Sequence, residues 1–167
     1  MDCFSYKNSS LFCEDVNLQD IANEYGTPTY VYSRRTLEQN IDLYQQSFKN
    51  KNSLICFSVK SLNNLAILKI LNDKECGFDI VSYGELMRVL HVGADPNKII
   101  FSGVGKSEME IVEGINNGIL SFNIESESEL HRIERIASKL KKQVSVAIRF
   151  NPEIDSGGHD YITCLLY

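Results

Sequence analysis

Several ionisable side chains in this 167-residue chain stand at one recurring position, just after a short apolar run. Lys60 follows Cys56-Phe57-Ser58-Val59 and precedes the polar turn Ser61-Leu62-Asn63-Asn64. Asp79, Ser82 and Glu85 follow the next such run, then Ser102 with Gly103, then Asn123 with Glu125, and finally Arg149 with Asn151. A primary amine attacks carbonyl carbon to form a Schiff base when burial lowers its pKa. Carboxylates beside it can balance cations or move protons. A lone lysine at a strand end is more simply a solvated cap, and the residues of Lys60 alone leave both readings open.

The other candidates are weaker. Gly103-Val104-Gly105-Lys106-Ser107 looks like the end of a phosphate loop, but G-x-x-x-x-G-K-[ST] would need its first glycine where Ile100 stands. It reads as a tight strand-to-helix turn with Ser107 as helix cap. His91 and His131 lie between apolar residues at boundary positions, and His159 sits in a loop after the fifth run. No His, Cys or carboxylate cluster has metal-ligand spacing. The five cysteines are odd in number and form no C-x-x-C pair, which reads as reduced thiols of a cytoplasmic protein.

The elements that must position these residues alternate in type. Val16–Tyr25 reads as a short helix capped by Asn17 and ended by Gly26. Thr29–Tyr32 is β-rich, and Ser33 caps a helix whose Leu37, Ile41, Tyr44 and Phe48 share one face. Strand-like runs follow at 53–59, 78–81, 98–102, 119–123 and 143–150. Helices are expected between them at 64–71, 84–90, 107–116 and 126–140. Ser107 with Glu110, and Ser126 with Glu129, are in capping-box register. The spacing of the strands is even, yet no repeated sequence marks it.

Five strands separated by helices predict a parallel sheet of βαβ units. Such strands are buried on both faces and are expected to lack alternation. A doubly wound sheet usually carries a glycine-rich first turn, and Lys60-Ser61-Leu62-Asn63 has none. The fold expected is therefore α/β, an incomplete TIM-type (β/α)8 barrel of about five βα units, since eight units take roughly 250 residues. All five strand ends would then face one cavity.

Composition narrows the partners. Hydrophobic residues make up 43% and charged residues 23%, as in globular domains. The net charge of −5 disfavours nucleic acid and anionic membranes. No apolar run reaches the roughly 20 residues of a membrane span. Met1–Asn8 lacks the pattern of a secretory signal.

Read in order, these blocks resemble the diaminopimelate decarboxylase family within the fold-type III pyridoxal-phosphate enzymes. The resemblance runs through Gly26-Thr27-Pro28-Thr29-Tyr30-Val31-Tyr32, Phe57-Ser58-Val59-Lys60 and Gly77-Phe78-Asp79-Ile80-Val81-Ser82 with Gly84-Glu85-Leu86. It continues through Ile100–Lys106, Phe122-Asn123-Ile124-Glu125-Ser126, Arg149-Phe150-Asn151-Pro152 and His159-Asp160-Tyr161-Ile162-Thr163. It implies a barrel that binds pyridoxal 5′-phosphate, with Lys60 holding the cofactor as a Schiff base. Asp79, Glu85, Arg149 and His159 would line the pocket. Residues 1–30 would begin a separate β-domain, 31–163 would be the partial barrel, and 164–167 would be a divergent tail.

The implied activity is conversion of meso-diaminopimelate to L-lysine and carbon dioxide, by a family that is homodimeric at full length. The similarity lapses at Cys164-Leu165-Leu166-Tyr167. The resemblance therefore implies an N-terminal part that is inactive alone, of marginal stability and prone to self-association. An ornithine- or arginine-type decarboxylase, or a non-catalytic half-barrel that binds the cofactor, are the alternatives.

Overall fold

Phe57, Phe78, Ile80, Phe101, Phe122 and Ile124 alternate with small or polar residues along short strands, and this alternation decides how the chain folds. A computed structural model describes residues 3–150. Five strands, β4 (Cys56–Ser58), β5 (Gly77–Ile80), β6 (Ile99–Phe101), β7 (Ser121–Ile124) and β8 (Val146–Ile148), form one sheet in sequential order. Every neighbouring pair is parallel. A doubly wound sheet reverses its strand order partway, and this one never does, so the arrangement is part of a barrel.

Helices α3 (Leu65–Asp73), α4 (Tyr83–His91), α5 (Glu108–Asn117) and α6 (Glu127–Leu140) connect the strands. Their apolar faces cover one side of the sheet. Phe78, Ile80, Ile99 and Phe101 are fully buried there, with Leu68, Leu86, Val89, Ile111 and Ile133 above them. The rings of Phe101 and Phe122 stack at 6.0 Å. The expectation of strands buried on both faces is overturned. Ser58, Asp79, Ser121 and Asn123 point to the other side and are only half-buried, because no described element covers that side.

The N-terminal region is a separate antiparallel sheet of β1 (Phe4–Lys7), β2 (Ser10–Cys13) and β3 (Val16–Asn17), followed by α1 (Leu18–Tyr25). Asn8 and Ser9, both at positive φ, make the two-residue turn that matches strand twist. Asn17 caps α1, as its sequence predicts, although Val16 joins the sheet and not the helix. Glu14 docks this unit against α2 (Arg34–Phe48): its carboxylate accepts from the Ser33 hydroxyl and the Arg35 amide, both at 2.8 Å.

Three boundaries differ from expectation. Thr29–Tyr32 is extended but joins no ladder. The expected strands 53–59 and 143–150 shrink to three residues each, because only those residues meet a neighbour in register. The face predicted for α2 is sealed only at Ile41, while Tyr44 and Phe48 remain exposed. The helix lies beside the sheet-edge strand β4, and a cavity of about 460 Å³ lined by Leu37, Ile41, Tyr44, Phe57 and Leu71 opens between them.

A sequence repeat is present after all. Residues 57–88 and 101–132 are related by one constant offset. Phe57-Ser58 matches Phe101-Ser102, and Phe78, Ile80, Ser82, Glu85, Leu86 and Arg88 match Phe122, Ile124, Ser126, Glu129, Leu130 and Arg132. The copies fold alike. Ser82 and Ser126 cap α4 and α6. Arg88 and Arg132 each donate to a carbonyl of the preceding connection, Asn63 and Lys106 respectively.

Candidate active site

The half-buried side of the sheet gathers its polar groups at the C-terminal ends of the strands. Lys60 is placed first. The chain leaves β4 through a single 3-10 turn, Val59–Ser61, instead of running straight into a helix. Val59 anchors this turn by complete burial, and the Ser61 hydroxyl closes it onto the Ser58 carbonyl at 2.7 Å. Lys60 is therefore lifted off the strand end. It is exposed, and its amine has no hydrogen-bond or ion-pair partner among the described residues. Asn64 then starts α3 by accepting from the Ala66 and Ile67 amides.

Asp79 stands beside Ser58 in the ladder. The Ser102 hydroxyl donates to Asp79, and the Asn123 amide donates to Ser102 at 2.9 Å. Three adjacent strand ends thus share one hydrogen-bonded wall. The Ser58 hydroxyl oxygen is buried on the same wall and has no partner among the described residues. Such an orphan is costly unless something else meets it. Further along, Arg149 reaches the nearly buried carboxylate of Glu125 at 3.4 Å. The Arg149 amide also extends the ladder to the Ile124 carbonyl.

Glu85 is positioned differently from the residues it was grouped with. It is buried, and its carboxylate accepts from the Val81 amide at 2.8 Å while the Ser82 hydroxyl accepts from the Glu85 amide. It braces the turn between β5 and α4. Asn151 and His159 lie outside the described residues. The structure thus joins Asp79 to Ser102 and Asn123, joins Glu125 to Arg149, gives Glu85 a backbone partner and leaves Lys60 unengaged.

Two features were not apparent from the sequence. Lys106, read as part of a turn, has a 1% exposed side chain. Its amine donates to the Gly103 carbonyl, the Asn123 carbonyl and the Glu129 carboxylate at 2.7, 2.7 and 2.8 Å. With every ammonium proton engaged, Lys106 serves the fold and cannot compete with Lys60 for a carbonyl. The only local hint is the flanking Gly103 and Gly105; Gly103 takes φ +98 to bring the chain around. The second feature is a correction. Ser107 and Glu110 form a complete capping box, but Ser126 and Glu129 form half of one. The Glu129 carboxylate bonds the Glu125 amide and Lys106 instead.

Electrostatics rules out one neighbour. Burial, and then the negative charge of Asp79, push the Cys56 thiol up to about 11. It is protonated at neutral pH and is no nucleophile. Among the described residues no cluster of three or more His, Cys, Asp or Glu could hold a metal ion. No described helix is long and apolar enough to cross a membrane.

Lys60 is exposed and lacks the burial expected of a Schiff-base amine. Its amine nevertheless has no partner among the described residues and stands at a strand mouth whose neighbours carry carboxylate and hydroxyl groups, as Schiff-base chemistry uses. The family comparison agrees: the pyridoxal-binding domain of pyridoxal-dependent decarboxylases matches residues 34–165. The chain belongs to that family. It is similar to diaminopimelate decarboxylase of Haemophilus influenzae, at 45% identity over 98% of the chain and 39% of the relative. Among solved structures, the diaminopimelate decarboxylase from m. jannaschii in complex with L-lysine superposes with a TM-score of 0.89. Its identity is 33%, over 97% of this chain and 39% of that one. The Helicobacter pylori enzyme complexed with L-lysine gives 0.83 at 41% identity, over 87% of this chain and 37% of that one. The chain thus spans about two fifths of the length of these relatives.

The residues present fit the family's cofactor, pyridoxal 5′-phosphate. An aldehyde needs an unpaired primary amine, which Lys60 supplies. The orphaned Ser58 hydroxyl and the Asp79 carboxylate offer polar partners beside it.

Proposed function

We propose that this chain is the cofactor-holding part of a decarboxylase that converts meso-diaminopimelate to L-lysine and carbon dioxide. The observation that carries the reading is the unpaired Lys60 amine, raised on its own turn beside the Asp79–Ser102–Asn123 wall. Pyridoxal phosphate, when bound, supplies an electron sink for the carbon–carbon bond that breaks. Lys60 would hold the cofactor covalently, and its free amine would take or give a proton. Asp79, held by the Ser102 hydroxyl, would set negative charge beside the cofactor. Arg149 offers a cation at the mouth that Glu125 steadies. Glu85 supports the β5–α4 turn, and His159, outside the described residues, is assigned to the pocket by the resemblance alone.

The reading extends to organisation. Residues 1–30 begin a second domain and 31–163 belong to the barrel part, while the expected divergent tail 164–167 overlaps the family match, which runs to 165. The whole protein works as a cytoplasmic homodimer on a small amino acid, and this chain alone is inactive. The names of the relatives support the choice of diaminopimelate over ornithine or arginine.

Borohydride reduction in the presence of pyridoxal phosphate, followed by peptide mapping, tests the reading. The expected result is one labelled peptide, that of Lys60, which disappears in Lys60→Ala. Meso-diaminopimelate should compete with the labelling, and ornithine and arginine should not. Labels scattered over surface lysines and unchanged in the variant would refute the pocket.

A further inference from the structure

The two copies of the repeat differ in what their connecting lysines do. In the first, Lys60 projects freely from a short turn. In the second, where the connection is not longer, the lysine stands two positions later, between Gly105 and Ser107, and Lys106 turns inward to meet Glu129, whose side chain is 6% exposed. The same buried amine holds the Asn123 carbonyl. The Asn123 side chain in turn donates to Ser102, and Ser102 donates to Asp79. A line of hydrogen bonds, joined through the covalent frame of Asn123, therefore connects the first turn of α6 to a carboxylate on the pocket wall. The line is fixed at its far end as well. The Glu129 carboxylate also accepts from the Glu125 amide, and Arg132 clamps the Lys106 carbonyl at 3.0 Å.

We propose that the buried Lys106–Glu129 pair is a positioning device for the cofactor pocket, setting the Asp79 carboxylate through Asn123 and Ser102. The inference rests on the reading of this wall as the cofactor site. Its physical basis is the cost of disorder in such a line. A strand-end carbonyl without a fixed donor shifts with its loop, and the side chain on the same residue shifts with it. A carboxylate that must face a bound ring in one orientation then spends time in others, which weakens capture without removing any group that touches the cofactor.

The test uses the full chain and pyridoxal 5′-phosphate, with two readouts: the dissociation constant from cofactor absorbance, and the selectivity of borohydride labelling at Lys60. The variants are Lys106→Met with Glu129→Gln, which removes both charges together, and Asn123→Ala, which cuts the line and leaves the ion pair. Each should retain a cooperative melt and lose about tenfold in affinity, the size seen when an outer support of a site is removed. Combining them should cost little more than either alone, because both break the same line. Losses that simply multiply, or wild-type affinity in either variant, would overturn the proposal. If the charge-pair variant fails to fold, Glu129→Gln alone takes its place: unchanged affinity and selectivity refute the device, and a loss supports it. A parent chain that shows no selective capture at Lys60 refutes the pocket reading and this inference with it.

Discussion

Gly114 lies in α5 directly over the ring of Phe122, and replacing it with alanine sets two known effects against each other. Alanine is favoured over glycine inside a helix by about 0.8–1.0 kcal/mol. A methyl group built on Gly114 would, however, stand 2.7 and 3.0 Å from two Phe122 ring carbons and 3.1 Å from the Ile119 side chain. Carbon atoms sit comfortably at roughly 3.5–4.0 Å, so the ring would have to yield by most of an ångström. It has little room to do so, being 1% exposed and stacked on the fully buried Phe101. Overpacking of this kind costs about 1–3 kcal/mol. We expect Gly114→Ala to destabilise the chain by a net of up to ~2 kcal/mol in urea unfolding with an unchanged m-value. Gly114→Ala with Phe122→Leu should return part of that loss relative to Phe122→Leu alone. A Gly114→Ala variant as stable as the parent, or more so, would refute the argument that helix α5 is pressed onto β7 at this point.

Other perturbations separate the buried charges from the exposed ones. Lys106→Met alone leaves the Glu129 carboxylate buried without a cation and should cost about 3–5 kcal/mol, whereas adding Glu129→Leu should recover most of it; a thermal melt of the three chains decides. Cys56 should resist alkylation in the native state at pH 8 and react on unfolding. Because its folded value lies near 11 against 9.0 for a free thiol, stability should hold below pH 9 and fall as pH rises toward 11; a Cys56→Ala chain with the same alkaline slope would contradict this. For Glu110, burial pushes the carboxyl up, but hydrogen bonds from the Ser107 amide, the Tyr83 amide and the Ser107 hydroxyl outweigh it and hold the net value low. Its contribution is present above the ordinary carboxylate value and is lost as pH falls through the lowered one, so Glu110→Gln should flatten acid unfolding.

The helices were legible because their signals are local. Asn17, Ser33 and Ser107 cap helices through bonds to amides two or three residues away, and those spacings can be read in the chain. Strand limits could not be read that way, since Ser53 is as apolar in context as Ser58 and only the register with β5 separates them. The Phe4–Cys13 hairpin escaped notice because Asn8-Ser9 turns the chain without the glycine that usually marks such turns. Lys60 was found because a charge interrupts an apolar run. Lys106 was not recognised as buried, because its acceptors at Asn123 and Glu129 are 17 and 23 residues away and only the folded sheet brings them close. The internal repeat was visible in principle, but the counterpart of Lys60 is Val104, and Lys106, two positions further on, does not line up with it.

The sequential order of the sheet also bears on how the molecule is made. Each strand from β5 to β8 pairs with the strand that precedes it in the chain. Among the described strands of this sheet, β5 to β8 need no partner synthesised later, so loop closure is short at each of these steps. As the chain leaves the ribosome, each new strand meets an edge already in place, and its helix can then cover the apolar rings behind it. Assembly can therefore advance from β4 toward β8 one strand and one helix at a time, in the direction of synthesis.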